Sequence, residues 1–525
     1  MSSVKNMIDE GRTAIGIELG STRIKACMID EAHNVIASGS FSWENRFENG
    51  VWTYGLSEIE EGIRSCYKSL TEDVAAKYGT VIKKTGSIGI SGMMHGYMAF
   101  DAGWNLLAPF RTWRNTITGD EAQELSEAFG FNIPQRWSIA HLYHAVKGGE
   151  EHVKRLVHLT TLAGYIHYRL SGENVLGIGE ASGMFPIDSA AGTYDAGMMA
   201  KYDDLTGGFP KKLAELLPEV KKAGEGAGVL TAAGAAFLDE SGVLQAGALM
   251  APPEGDAGTG MVATNALRAC TGNVSAGTSD FAMVVLDKPI ATHMEIDMVT
   301  TPTGLPVAMV HCNNCTSDIN AWAGLFAQFA EAFGMNISTG DLFTKLFTMA
   351  LDGAKDGGGL IPVNYISGES ITGFDEGRPL FIRQGAGIGL ADFMRANLMS
   401  AIATLGIGMR ILADEGVKIT SLTGHGGYFK TGTVGASLLS AACVSPVTLM
   451  ETAGEGGPYG MALLAGYAAW KKGGESLEDY LDAKVFADAK KITVNASAED
   501  VDGFKAFLAK YEKALKVERA AVEVL

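Results

Sequence analysis

Two stretches of the chain carry one pattern. Ile17-Glu18-Leu19-Gly20-Ser21-Thr22 runs on into Ile24 to Asp30, and Val274-Ser275-Ala276-Gly277-Thr278-Ser279 runs on into Phe281 to Asp287. Each reads as strand, Gly-hydroxyl turn, strand. Glycine lets the backbone come close to a ligand, and consecutive turn amides with Ser or Thr hydroxyls make a concavity suited to phosphate oxygens. One copy alone would read as an ordinary hairpin, since Gly-Ser-Thr turns are common. Two aligned copies, one in each half and each leading into an apolar strand that ends in Asp, point to a nucleotide gripped between two domains.

The elements that must position these turns follow an α/β order. Ala14 to Leu19, Ile24 to Ile29 and Val35 to Phe41 are spaced like an antiparallel meander, a helix is predicted from Leu56 to Lys77, and Ser87 to Ser91 reads as a buried strand. Strands, helix and strand in that order predict a mixed sheet with helices on its faces. Asp120 to Leu170 is mainly helical with a break at Pro134, and Gly177 to Gly192 is turn-rich. The domain break falls just after Asp256, giving 1–262 and 263–525. The second half restarts with the repeated hairpin and continues through helical stretches at Ile319 to Phe333 and Ala391 to Ala413. It ends in a charged amphipathic segment, Ala498 to Val524, predicted to be a surface helix.

Size and composition narrow the class. A chain of 525 residues exceeds what one core organises, so two domains are expected. The apolar fraction of 47%, with 67 glycines and 14 prolines, fits a compact α/β enzyme rather than a disordered or collagenous chain. A formal net charge of -18, with no clustered Lys and Arg, opposes nucleic acid as a partner. No apolar leader and no run of roughly 18 apolar residues is present, so no membrane association and a cytoplasmic location are expected. The six cysteines lack disulfide spacing, and Cys312-Asn313-Asn314-Cys315 is given no chemistry.

Absent motifs also decide. No Gly-x-x-x-x-Gly-Lys loop occurs, and Gly177-Ile178-Gly179 and Gly385-Ala386-Gly387-Ile388-Gly389 are near misses to a dinucleotide fingerprint, off a clear strand-to-helix junction. No metal-cage motif appears, so any metal is expected to be a hydrated Mg²⁺ carried with nucleotide.

The ordered set of motifs resembles the FGGY carbohydrate kinases, pentulose kinase branch, over nearly the whole chain. The resemblance implies the two-domain actin/hsp70/hexokinase-like, ribonuclease H-like ATPase fold with a cleft between domains. Gly16 to Lys25 resembles the first phosphate motif and Gly272 to Ser279 the second, implying ATP contacts at Gly20, Ser21, Thr22, Arg23, Gly277, Thr278 and Ser279. Gly424-His425-Gly426-Gly427 and Gly456-Gly457-Pro458-Tyr459-Gly460 resemble the adenosine region, implying contacts at Gly426, Gly427 and Gly457. Gly255-Asp256-Ala257-Gly258 resembles the catalytic segment. Met94-His95-Gly96 and Trp113-Arg114-Asn115 resemble the sugar-binding segments, and Tyr365 to Glu369 resembles a xylulokinase-type segment. Glu18 stands where the family has an Asp that contacts Mg²⁺; the extra methylene can be absorbed by shifting one water.

Asp256 is the candidate base for a sugar hydroxyl and a sugar contact, against a plain Gly-Asp turn as the bland alternative. His95 either bonds a sugar hydroxyl or is a satisfied core histidine, Trp113 stacks on a sugar or fills core, and Asn115 offers donor and acceptor to a polyol. Met94 packs beside them. Arg23 and Lys25 alternate onto one strand face, toward phosphate or toward solvent. Motifs including Trp43-Glu44-Asn45 and Thr112 to Asn115 resemble ribulokinases serving arabinose use, so L-ribulose leads and D-xylulose follows. The rival of another class is an ATP-driven conformational switch on the same superfold. Sugar and ATP are the expected partners, with a homodimer left open.

Overall fold

The computed structural model describes residues 2–451 and 456–525. The chain folds as two compact units. The first takes the chain through Leu267, then Met298–Val307, and the stretch containing 456–488; the second takes Arg268–Asp297, 308–451 and Ala489–Leu525.

The first unit is built on a mixed sheet in the order Leu249–Met250, Ser87–Gly92, Thr13–Leu19, Arg23–Asp30, Val35–Ser42, with Glu254–Gly255 also pairing Ser87–Gly92. The meander is antiparallel, while Ser87–Gly92 runs parallel to Thr13–Leu19. Thr13–Leu19 is buried along its whole length, which explains the apolar run Ala14 to Ile17. The register sets Lys25, Glu18, Ser91 and Glu254 in one row across the sheet, with Gly255 opposite Gly92. Asp256 therefore begins its helix, Asp256–Ala263, at the same sheet end as Glu18.

The second unit repeats the plan. Its sheet runs 308–312, Asp280–Val285, Thr271–Ala276, Ser421–His425, Val447–Met450, Lys491–Val494. Again the first hairpin strand is antiparallel to the second and parallel to a neighbour on its other side, Ser421–His425.

The single cut expected between 262 and 263 differs from this arrangement. The helix Gly456–Trp470 lies on the first unit's sheet, because Gly16 and Gly89 leave room for it. A side chain at Gly16 would collide with the backbone of Pro458 and Ala462, and one at Gly89 with Met461. The predicted helix Leu56 to Lys77 forms as Leu56–Tyr78. Ala391 to Ala413 forms two helices, Leu390–Ala401 and Ala403–Asp414, bent by 50°. That bend falls at Ile402, whose φ of -118° leaves the helical range. The final helix, Ala498–Val524, buries Phe504, Phe507 and Tyr511, so one face is core and only the other is solvated. Among the described residues no single helix is long and apolar enough to cross a membrane.

Candidate active site

In the first unit the sheet end gathers Glu18, Met94, Asp256 and Gly457. Asp256 sits at the positive end of its helix and its Oδ1 accepts from the Ala257 amide at 2.9 Å and the Met94 amide at 3.4 Å. Burial pushes its carboxyl up to about 6, against the pull of those amides. Glu18 is 9% exposed, and burial, reinforced by the Asp256 charge, pushes it up to about 7. Gly457 has no room for a side chain, because its Cβ would overlap the Glu18 carboxylate and lie 3.1 Å from Thr259 Oγ1. Thr259 in turn bonds the carbonyls of Gly255 and Asp256 and faces Ser91 Oγ. The carboxylates and the helix end are thus locked to one framework.

The first turn is fixed by aromatic donors. Trp43 Nε1 donates to the Gly20 carbonyl at 2.7 Å, Tyr54 OH to the Ser21 carbonyl at 2.6 Å, and Trp113 Nε1 to Ser21 Oγ at 3.3 Å. Trp43 and Tyr54 stack at 4.2 Å. Arg23 and Lys25 are exposed, as their alternation along the strand places them on one face, and Thr22 is exposed in the turn before it.

His95 is buried at a left-handed φ of 69°, a costly conformation for a residue with a Cβ. Its Nδ1 donates to the Gly183 carbonyl at 3.0 Å, since a carbonyl can only accept, and Trp137 stacks on its ring. That tautomer makes Nε2 an acceptor. Asn115 is placed otherwise than the sugar-contact reading expects. It is 2% exposed, its Oδ1 accepts from Trp52 N, and its Nδ2 donates to Trp52 O and Thr112 O. An amide engaged at both ends by backbone shapes the Trp113 loop rather than facing ligand.

Two acidic residues were missed by sequence reasoning. Glu254 is 1% exposed and its Oε2 accepts from the Glu180 amide at 3.0 Å; burial pushes it up to about 8. Glu180 is raised well above the usual range by burial, then by Glu254 and Asp256. Side chains at Gly177 or Gly179 would collide with the Glu254 carboxyl, so the spacing resembling a dinucleotide fingerprint instead makes room for this residue.

In the second unit, Gly277 N donates to Ser279 O at 2.9 Å and closes the Gly277-Thr278-Ser279 turn. Gly426 has φ of 101° and lies so close to Ala276 that a side chain would strike its backbone. Gly427 is exposed beside it. His425 Nε2 accepts from Asn273 Nδ2 at 3.4 Å, and burial lowers its ring to about 4. Gly426 and Gly427 therefore accompany the second turn, whereas Gly457 accompanies Glu18 in the first unit. An apolar groove of about 960 Å³ between the helices Ser317–Ala332 and Thr339–Met349, lined by Leu325, Phe326, Phe329 and Leu346, had no sequence signal beyond helical periodicity.

Comparison with known proteins accords with this duplicated architecture. Residues 13–247 match the N-terminal domain and residues 272–469 the C-terminal domain of the FGGY family of carbohydrate kinases. The chain belongs to that family, whose members are ATP-dependent phosphotransferases, and has its two-domain actin/hsp70-like fold. It is 25% identical over 186 residues to a xylulose kinase of Staphylococcus xylosus, a match spanning 33% of this chain and 37% of that protein. Among solved structures it resembles a xylulose kinase from Brucella ovis, with TM-score 0.78 and 20% identity over 96% of this chain and 99% of that one. A gluconate kinase from Lactobacillus acidophilus gives the same TM-score at 17% identity, covering 96% and 98%.

Proposed function

We propose that the protein transfers the terminal phosphoryl group of ATP to the terminal hydroxyl of a ketopentose. The observation that carries this reading is Asp256, a half-buried carboxylate oriented by two backbone amides beside Glu18. Phosphoryl transfer is chiefly positioning and charge neutralisation, and a carboxylate need only receive the hydroxyl proton as the bond to phosphorus forms. Asp256 takes that proton. Met94, His95 and Trp113 hold the sugar, with Asn115 setting the Trp113 loop. In each unit the Gly-hydroxyl turn, Gly20, Ser21, Thr22 and Arg23 in the first and Gly277, Thr278 and Ser279 in the second, offers amides and hydroxyls to phosphate oxygens. Gly426 and Gly427 approach the nucleoside.

Among the described residues no three His, Cys, Asp or Glu side chains are placed to cage a metal. Glu18 suits hydrated Mg²⁺, which keeps most of its waters and takes one or two carboxylates. Held there directly or through water, the ion would offset phosphate charge.

L-ribulose is supported by the Trp43 to Asn45 and Thr112 to Asn115 motifs, and D-xylulose by relatives that bear the name xylulose kinase. The two stand level. A nucleotide-driven switch would need no oriented base, and Asp256 disfavours it. ADP release with Mg-ATP across L-ribulose, D-ribulose, D-xylulose, L-xylulose, glycerol and gluconate tests the reading. Strong stimulation by one ketopentose supports it and selects the sugar, while a flat panel with tight ATP binding favours the switch.

A further inference from the structure

The segment Cys312-Asn313-Asn314-Cys315, given no chemistry by sequence, lies against the back of the second Gly-hydroxyl turn. Cys315 N donates to Thr278 O at 3.0 Å, and Thr316 donates to Gly277 O from its amide at 2.9 Å and its hydroxyl at 2.7 Å. The carbonyls of Gly277 and Thr278 are thereby drawn onto this segment, while the Gly277 amide closes the turn on Ser279 O. A turn that binds phosphate by its amides needs its carbonyls held in this way.

The segment is itself clamped by one residue from elsewhere in the unit. Glu369 is fully buried, and its Oε2 accepts from the amides of Asn313 at 3.0 Å and Asn314 at 3.3 Å and from Asn314 Nδ2 at 3.2 Å. Asn314 closes the loop from its other end, its Oδ1 accepting from the amides of Ile366 and Ser367 and from Ser367 Oγ. Asn364 Nδ2 reaches the carbonyls of Asn314 and Cys315. Three donors converging on one fully buried carboxyl oxygen define a single geometry, and every unmade bond there is costly.

We propose that Glu369 and Asn314 form a latch that positions the Gly277-Thr278-Ser279 turn for nucleotide phosphate, acting through Cys315 and Thr316 without touching the ligand. This inference rests on the reading of that turn as a phosphate site. It assigns the pair a selective role, since nucleotide affinity depends on the latch while sugar affinity depends on residues of the other unit.

The test is calorimetric binding of Mg-ADP, and separately of L-ribulose and D-xylulose, to wild type, Glu369→Ala and Glu369→Gln. Glu369→Gln keeps an acceptor oxygen for the three donors. The expected result is an ADP affinity lowered at least fivefold in Glu369→Ala, restored to within twofold by Glu369→Gln, with ketopentose affinity unchanged in both. Hydrogen exchange at the Cys315 and Thr316 amides should quicken in Glu369→Ala in parallel. Should that variant not fold, Ser367→Ala, which removes one hydroxyl from Asn314 Oδ1, should lower ADP affinity about twofold with sugar affinity intact. Unchanged ADP affinity in a folded Glu369→Ala, or an equal loss of ADP and sugar binding not rescued by Gln, overturns the latch. Absence of ADP binding by wild type overturns both the latch and the phosphate reading, and so separates the two failures.

Discussion

The indole N–H of Trp43 donates to the carbonyl of Gly20 at 2.7 Å, so the first phosphate-type turn is held by a residue from the end of the meander. With Tyr54 on the next carbonyl, the turn's acceptors are engaged from behind. Trp43→Phe keeps the stacking on Tyr54 but drops the bond. A net contribution of about 1 kcal/mol for such a bond predicts roughly a fivefold rise in KM for ATP with sugar affinity retained. Steady-state kinetics at varied ATP checks it.

Asp256 is the base in this account, and its neighbours are positioned to hold an isosteric amide in the same place. Asp256→Asn is expected to lower kcat by about 10³-fold, at the upper part of what general acid–base groups supply. Sugar binding by calorimetry should stay within a few-fold. Unchanged turnover would remove Asp256 from the role.

Burial raises Asp256 to about 6, and the base must be ionised to accept a proton. Activity is therefore expected to be full above that value and to fall as pH drops through about 6, rather than through the ordinary range near 4. A pH profile of kcat/KM for the sugar, at saturating Mg-ATP, measures the position of the limb.

Glu254 has the opposite bearing on stability. Its folded-state value, about 8, lies above the 4.5 of an ordinary glutamate, so the folded state holds a proton that the unfolded chain releases. Its stabilisation is complete below about 4.5 and is lost as pH rises through about 8. Glu254→Gln, neutral throughout, should flatten this part of the stability curve by up to about 5 kcal/mol. Chemical denaturation at a series of pH values reads it directly.

Gly457 offers a steric test of the framework. A methyl there would overlap the Glu18 carboxylate, so Gly457→Ala must displace either the helix Gly456–Trp470 or Glu18. Overpacking of this kind costs about 1–3 kcal/mol. A lowered Tm together with an increased Mg²⁺ requirement is expected; a variant unchanged in both would show that the close approach is not rigid.

The hairpins were legible because their signal is local: apolar strand, glycine, hydroxyls, apolar strand. The parallel neighbours, Ser87–Gly92 and Ser421–His425, and the return of residues 456–488 to the first unit depend on packing that no short window carries. Asp256 could be read from Gly-Asp, but Glu254 could not, since its sign lay in Gly177 and Gly179, far off in sequence and set aside as a near miss to a dinucleotide fingerprint. Asn115 carries the right groups for a sugar contact, yet backbone partners at Trp52 and Thr112 claim them. The Cys312–Cys315 spacing drew attention to thiols, whereas the asparagines between them make the contacts that matter. Both thiols are buried and raised well above their usual value, which keeps them unreactive.

The most direct test of the central claim is mass-spectrometric detection of product after incubating Mg-ATP with L-ribulose or D-xylulose, with wild type and Asp256→Asn in parallel. The account predicts a pentulose monophosphate, formed in step with ADP by the wild type and nearly absent with the variant. ADP released without any sugar phosphate, or equal product from both proteins, would contradict it.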